Sequence, residues 1–175
     1  MGKSTEDEDV KKYKFFDTDS YGNMEFDISG QDYIQLLEIC FKYSSTMSML
    51  IDKRRLAGDS RLLELEKHRL PLTDTVKGVY GHYPFSDMDS FDAMSPYEIR
   101  HYSLNPHTRP VISSITCSLF TWMCGWEFMN PTDPAFYRND GSVFFSSIIH
   151  EGECTIMPKE SEDIGMVLKD HWKCC

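Results

Sequence analysis

"AFYRNDGSVFFSSIIHEGECTIMP", residues 135–158, holds three short runs of aromatic, β-branched and small residues separated by two turn signals. "AFYR" and "SVFFSSII" flank "NDG", whose Asp140-Gly141 pair tolerates the positive φ that tight hairpins need. "HEGE" is a second tight turn, and it leads into "CTIM", which stops at Pro158 because proline cannot donate to a ladder. The stretch predicts an antiparallel meander of three strands.

Working outward towards the N-terminus, "KYKFF" and "MEFDI" enclose "DTDSYGN", and the pattern predicts a hairpin over residues 13–28. Asp17, Asp19 and Gly22 have the spacing of a calcium loop, but Tyr21 and Ile28 stand where that loop needs oxygen ligands, the second of them a bidentate carboxylate. A turn between strands explains the segment better. Residues 29–56 then place Ile34, Leu37, Cys40, Phe41, Met47, Leu50 and Ile51 near one helical stripe. They predict one long helix with Ser29 and Asp32 as its capping pair, bent around "KYSSTMS", where hydroxyls compete for backbone hydrogen bonds. A second helix is expected over "SRLLELEKHRL", closed by Pro71.

"VKGVYGHYPF" reads as a distorted strand with two glycines, "SDMDSFDAMSP" as an acidic loop and "YEIRHYSL" as an alternating strand. "RPVISSITCSLFTWMCGWEF" fits either period, and its length favours a helix; "EDIGMVLKDHW" predicts a last amphipathic helix despite Gly165. Together these elements predict an α+β fold, an antiparallel β-sheet with helices packed mainly on one face. It forms a single domain over residues 13–175 behind a flexible charged tail, residues 1–12.

A chain of 175 residues can bury a sufficient core without metals or disulfides. Its formal net charge of −10 opposes direct nucleic-acid binding, which needs clustered Lys and Arg against phosphate. Such a chain is drawn instead to basic partners. The N-terminus lacks the apolar segment of a secretory signal, and the longest uncharged run is too short and too rich in hydroxyls to span a bilayer. A cytoplasmic protein with no membrane contact is expected. Of six cysteines, Cys40, Cys117, Cys124 and Cys154 lie in apolar surroundings and read as buried free thiols. Cys174 and Cys175 read as exposed, and with His171 they lack the spacing of a metal site.

No nucleophile elbow, phosphate loop or zinc-protease motif is present in the sequence. His150, Glu151, Glu153 and Cys154 gather a possible Cys/His pair, but the flanking strands already account for these residues as a turn and a strand start. No catalytic residue, cofactor or metal is therefore expected. The richer signal is the acid-aromatic stretch before and into the strand at residue 97. Asp87, Asp89, Phe91, Asp92, Tyr97 and Glu98 form the candidate partner-binding set, with no basic residue anywhere in residues 84–98. Charge runs are commonly only solvent-facing, yet acids around apolar anchors also suit the grip on a cationic protein. Carboxylates there could pair bidentately with arginines that otherwise hold phosphate.

The stretches "FDISGQDYIQLLEICFKYSSTMSML" and "AFYRNDGSVFFSSIIHEGECTIMP" resemble small bacterial immunity proteins of polymorphic-toxin and contact-dependent growth inhibition systems. The resemblance implies a cytoplasmic, non-enzymatic toxin inhibitor in a protein–protein complex with a cognate toxin, often a nuclease (RNase or DNase). The protein would act by occluding the toxin's active site or substrate surface. The alternative is a small-molecule-binding protein or enzyme with a pocket built from His82, His101, His150 and Tyr83.

Overall fold

A computed structural model describes residues 11–16, 27–52, 58–71, 97–120, 132–149, 152–169 and 171–175. Its centre is a seven-stranded antiparallel sheet. The strands are β1 (Tyr13–Phe16), β2 (Thr46–Asp52), β3 (Tyr97–Ser103), β4 (Thr132–Tyr137), β5 (Val143–Ile148), β6 (Glu153–Ile156) and β7 (Trp172–Cys174), in the spatial order β3-β2-β4-β5-β6-β1-β7. The described helices are α1 (Gly30–Tyr43), α2 (Ser60–Glu66) and α3 (Thr108–Ser113). The fold is α+β, as the sequence predicts.

The meander forms β4, β5 and β6 with the expected turns, and Gly141 and Gly152 take the positive φ (82° and 65°) that those turns require. Residues directly opposite in an antiparallel ladder share a face. Met47 opposes Phe136, Phe136 opposes Phe145, and Phe145 opposes Ile156, so one face of the sheet is continuously apolar. α1 covers that face with Tyr33, Leu36, Leu37, Cys40 and Phe41, and the Phe41 ring meets Phe136 at 6.1 Å. α2 reaches the same face through Tyr102, opposite Met47, whose hydroxyl donates to Glu66 Oε1 at 2.6 Å. α3 touches both other helices. The described helices thus lie on one side.

One arginine ties the meander to the chain after it. Arg138 is 8% exposed and forks onto both oxygens of Glu162, at 2.7 and 2.6 Å, while donating to the carbonyls of Val143 and Met157. Burial works against the Glu162 carboxylate, but Arg138 outweighs it and holds the group below the ordinary range.

Five sequence expectations need correction. The hairpin over residues 13–28 does not form: β1 pairs with β6 on one side and β7 on the other, so no edge is left for a strand at Asp27 and Ile28. The long helix ends at Tyr43, Ser44 is extended (φ −126°, ψ 152°), and residues 46–52 form β2 instead. "TMSMLID" satisfies a two-residue period as well as a helical one: Met47, Met49 and Ile51 face the helices while Ser48 is buried on the reverse side. Ile34, placed on the buried stripe by sequence, is 49% exposed. Ser29 does cap α1 by position, but without a side-chain hydrogen bond.

The helix expected from residue 109 stops at Ser113, where Ser113 Oγ and Ser114 Oγ bond back to the carbonyls of Arg109 and Val111. The next backbone groups are taken by a different partner: Leu119 N donates to Ile28 O and Gly30 N to Cys117 O. The last helix is also absent. Ile164 and Val167 are buried one turn apart, but Asp163 accepts the Gly165 N–H and the chain straightens into β7 against β1. "SRLLELEKHRL" and "YEIRHYSL" behave as expected, giving α2 and β3. "VKGVYGHYPF" and the acidic loop lie outside the described residues.

Candidate functional site

The two ends of the sheet carry charged side chains in opposite states. At the β3 end, Glu98 accepts from Arg100 Nε and Nη2 at 3.2 and 3.0 Å through one oxygen, and from Arg69 Nη2 through the other. Arg100, 8% exposed, also reaches Glu66 Oε2 at 2.7 Å, and Glu66 accepts from Tyr102. Partial burial opposes ionisation of Glu98, yet the hydrogen bonds from Arg100 and the nearby Arg69 charge win, and its carboxyl titrates below the usual range. Burial lifts the Tyr102 phenol above its ordinary value, and the Glu66 carboxylate adds to this. Two carboxylates, two guanidinium groups and a phenol here pair with one another.

Glu98, expected to grip a partner, therefore has both carboxylate oxygens engaged within the chain. Tyr97 opens β3 opposite Asp52. Asp87, Asp89, Phe91 and Asp92 lie outside the described residues, in the chain that runs into this edge strand. His82, Tyr83 and His150 also lie outside them, as do Asp17, Asp19 and Gly22 of the calcium-like spacing. His101 is buried on the sheet face opposite the helices, edge-on to Tyr137 at 6.3 Å, where burial and then the Arg69 charge bring its pKa down to about 4. It lines neither cleft described below.

At the β7 end the chain leaves an open cleft of about 360 Å³ between α1, β1 and the C-terminal segment. Phe15, Ile28, Leu36 and Val167 are buried residues that form its apolar lining, and Trp172 and His171 stand beside Phe15, at 5.5 and 6.0 Å between ring centroids. Asp27, Asp32, Gln35 and Lys169 supply its polar groups. Lys169 pairs with Asp32 across the opening, and one oxygen of Asp27 accepts the Phe120 N–H at 3.2 Å. No cation among the described residues pairs with Asp27.

A second groove, about 510 Å³, runs between α1 and α3 and is lined by Ile34, Leu37, Phe41, Pro106 and Pro110, with Glu38 and Arg109 along it. Arg109 is held there by the Phe41 carbonyl at 2.8 Å and lies over the Phe41 ring.

Cys40 and Cys154 are buried free thiols, each pushed up by burial, which disfavours the thiolate a nucleophile needs. Cys117, expected to be buried, is exposed, and Cys174 and Cys175 are exposed as expected. Among the described residues no group of three or more His, Cys, Asp or Glu side chains is arranged to hold a metal ion, and no helix is long and apolar enough to cross a membrane. No family model, curated protein or solved structure matches this chain.

The cleft itself was not legible in the sequence because it assembles from three separated segments. The one local signal, His171-Trp172 beside Lys169, sits in a stretch whose apolar spacing reads as a helix.

Proposed function

We propose that this chain is an acidic immunity protein that binds and neutralises a cognate basic toxin domain, an RNase or DNase, by covering its active site or substrate surface in the bacterial cytoplasm. The observation that carries this reading is how the chain spends its charges. Its formal net charge is −10, and most described cations are already paired: Arg61 with Asp59, Lys67 with Glu64, Arg69 and Arg100 with Glu98, Arg138 with Glu162, Lys159 with Asp140 and Lys169 with Asp32. The acid surplus is concentrated in segments such as "TEDED", "DTD" and "SDMDSFD", the last of which precedes the edge strand β3 in the sequence. A basic nuclease approaching this protein meets an excess of acid and a long-range attraction.

The test is a search of the neighbouring reading frame for a toxin gene and co-expression of its nuclease domain with this chain. A stable complex with nuclease activity abolished at one-to-one stoichiometry is expected. Failure of the purified pair to associate at low ionic strength would refute the reading. Within it, replacing Asp87, Asp89 and Asp92 with Asn slows association by about tenfold, because like-charged clusters act mainly on the on-rate. Stopped-flow fluorescence measures this, and an unchanged rate moves the contact surface elsewhere.

A further inference from the structure

The cleft at the β7 end has the chemistry of a receptor for one planar cation. Its apolar lining is buried, two aromatic rings, His171 and Trp172, stand at one side, and its polar groups carry two carboxylates against one ammonium. Lys169 is committed to Asp32, so a bound anion would have to displace that pair and face Asp27. A cation meets Asp27 directly and can share Asp32. Among cationic groups the guanidinium fits best: it is flat, stacks on aromatic faces, and presents a fork of N–H donors that matches a carboxylate, whereas an ammonium is a compact, strongly hydrated charge. The space, about 360 Å³, is at the small end of ligand cavities and suits one extended side chain better than a cofactor.

We infer that the cleft formed by Asp27, Asp32, Phe15, His171 and Trp172 is the pocket for a single arginine side chain presented by the basic partner. This rests on the proposed function for the identity of the partner, but not for the chemistry of the pocket. Arginine inserted into a desolvated aromatic pocket is a common centre of binding energy at protein interfaces. The neighbouring Phe120, stacked on Phe15 at 5.9 Å, and the buried Leu36 hold the lining rigid, so the receptor is formed before the partner arrives.

The test uses the full chain and N-acetyl-L-arginine amide, followed by NMR through the Trp172 indole N–H. Saturable binding in the millimolar range is expected. The isosteric, uncharged N-acetyl-L-citrulline amide binds at least about tenfold more weakly, and Asp27→Asn weakens the arginine probe by a similar factor. Asp27 is exposed, so this variant folds; Trp172→Ala, which removes the stacking face, is the second variant. Equal binding of citrulline and arginine probes, no binding of either, or an arginine affinity unchanged in Asp27→Asn each overturn the assignment. The outcomes separate the two readings. A basic nuclease bound equally well by wild type and both variants leaves the proposed function standing and removes the arginine pocket. Specific arginine binding without any nuclease partner keeps the pocket and removes the immunity reading.

Discussion

The β3 and β7 ends of one sheet hold similar kinds of side chain and use them differently. At β3, Glu66, Arg69, Glu98, Arg100 and Tyr102 close on one another, and Arg100 is almost fully enclosed. At β7, Asp27, Asp32, Lys169 and His171 ring an open cleft. The difference follows from what covers each end. α2 brings Glu66 to the β3 end and the segment after it bridges Arg69 to Tyr102, so the charges lose water and must be compensated. The β7 end is a three-residue strand joined to irregular chain, and its charged groups keep their access to solvent. A closed network stabilises the fold; an open set of charges beside aromatic rings is available to a ligand.

That contrast breaks most visibly at Arg100. Arg100→Ala leaves Glu66 and Glu98 partly buried without their shared cation, and a loss of about 3–5 kcal/mol in unfolding free energy is expected, measured by urea denaturation. Acid sharpens it next. His101 is held neutral in the fold, with a pKa of about 4 against 6.5 for the free side chain. Between those two values the unfolded chain binds the extra proton, so stability present above about pH 6.5 is lost as pH falls towards 4, by about 3 kcal/mol. His101→Gln flattens the profile in that window.

Glu98 contributes in the same sense at lower pH. Its folded pKa is depressed, so its stabilisation exists above the ordinary Glu value and disappears as pH falls through the lowered one. Glu98→Gln costs about 1–2 kcal/mol at neutral pH and removes that part of the acid limb. At the open end the effect on stability is smallest: Asp27→Asn changes unfolding free energy by less than about 0.5 kcal/mol, as surface substitutions commonly do. A large destabilisation there would mean that the β7 end is also a structural network.

The sequence made some of this legible and hid the rest for definite reasons. The β4-β5-β6 meander could be read because Asp140-Gly141 and Gly152 mark turns locally and the intervening residues alternate. α2 was equally plain from "SRLLELEKHRL" closed by Pro71, and the structure adds Asp59, which accepts the Arg61 N–H as its cap. β2 was hidden because Met47 and Ile51 fit both periods, and a strand with buried residues on both faces loses its polar alternation. β7 was hidden because three residues carry no period, and its existence depends on the free side of β1 at the far end of the chain. Of the candidate site, Glu98 was singled out for its charge, but its arginine neighbours, one of them two residues away, decide what that charge does. Asp27 and Trp172 became neighbours in a cleft only through the tertiary fold.

The most direct measurement of the central claim is the association rate with the proposed toxin domain as ionic strength is raised. If surplus acid on a charge-paired scaffold grips a basic protein, the rate is fast at low salt and falls steeply as the Debye length shortens from about 30 Å at 0.01 M to about 8 Å at 0.15 M. A rate that is flat across that range, or a domain that never binds, would contradict it.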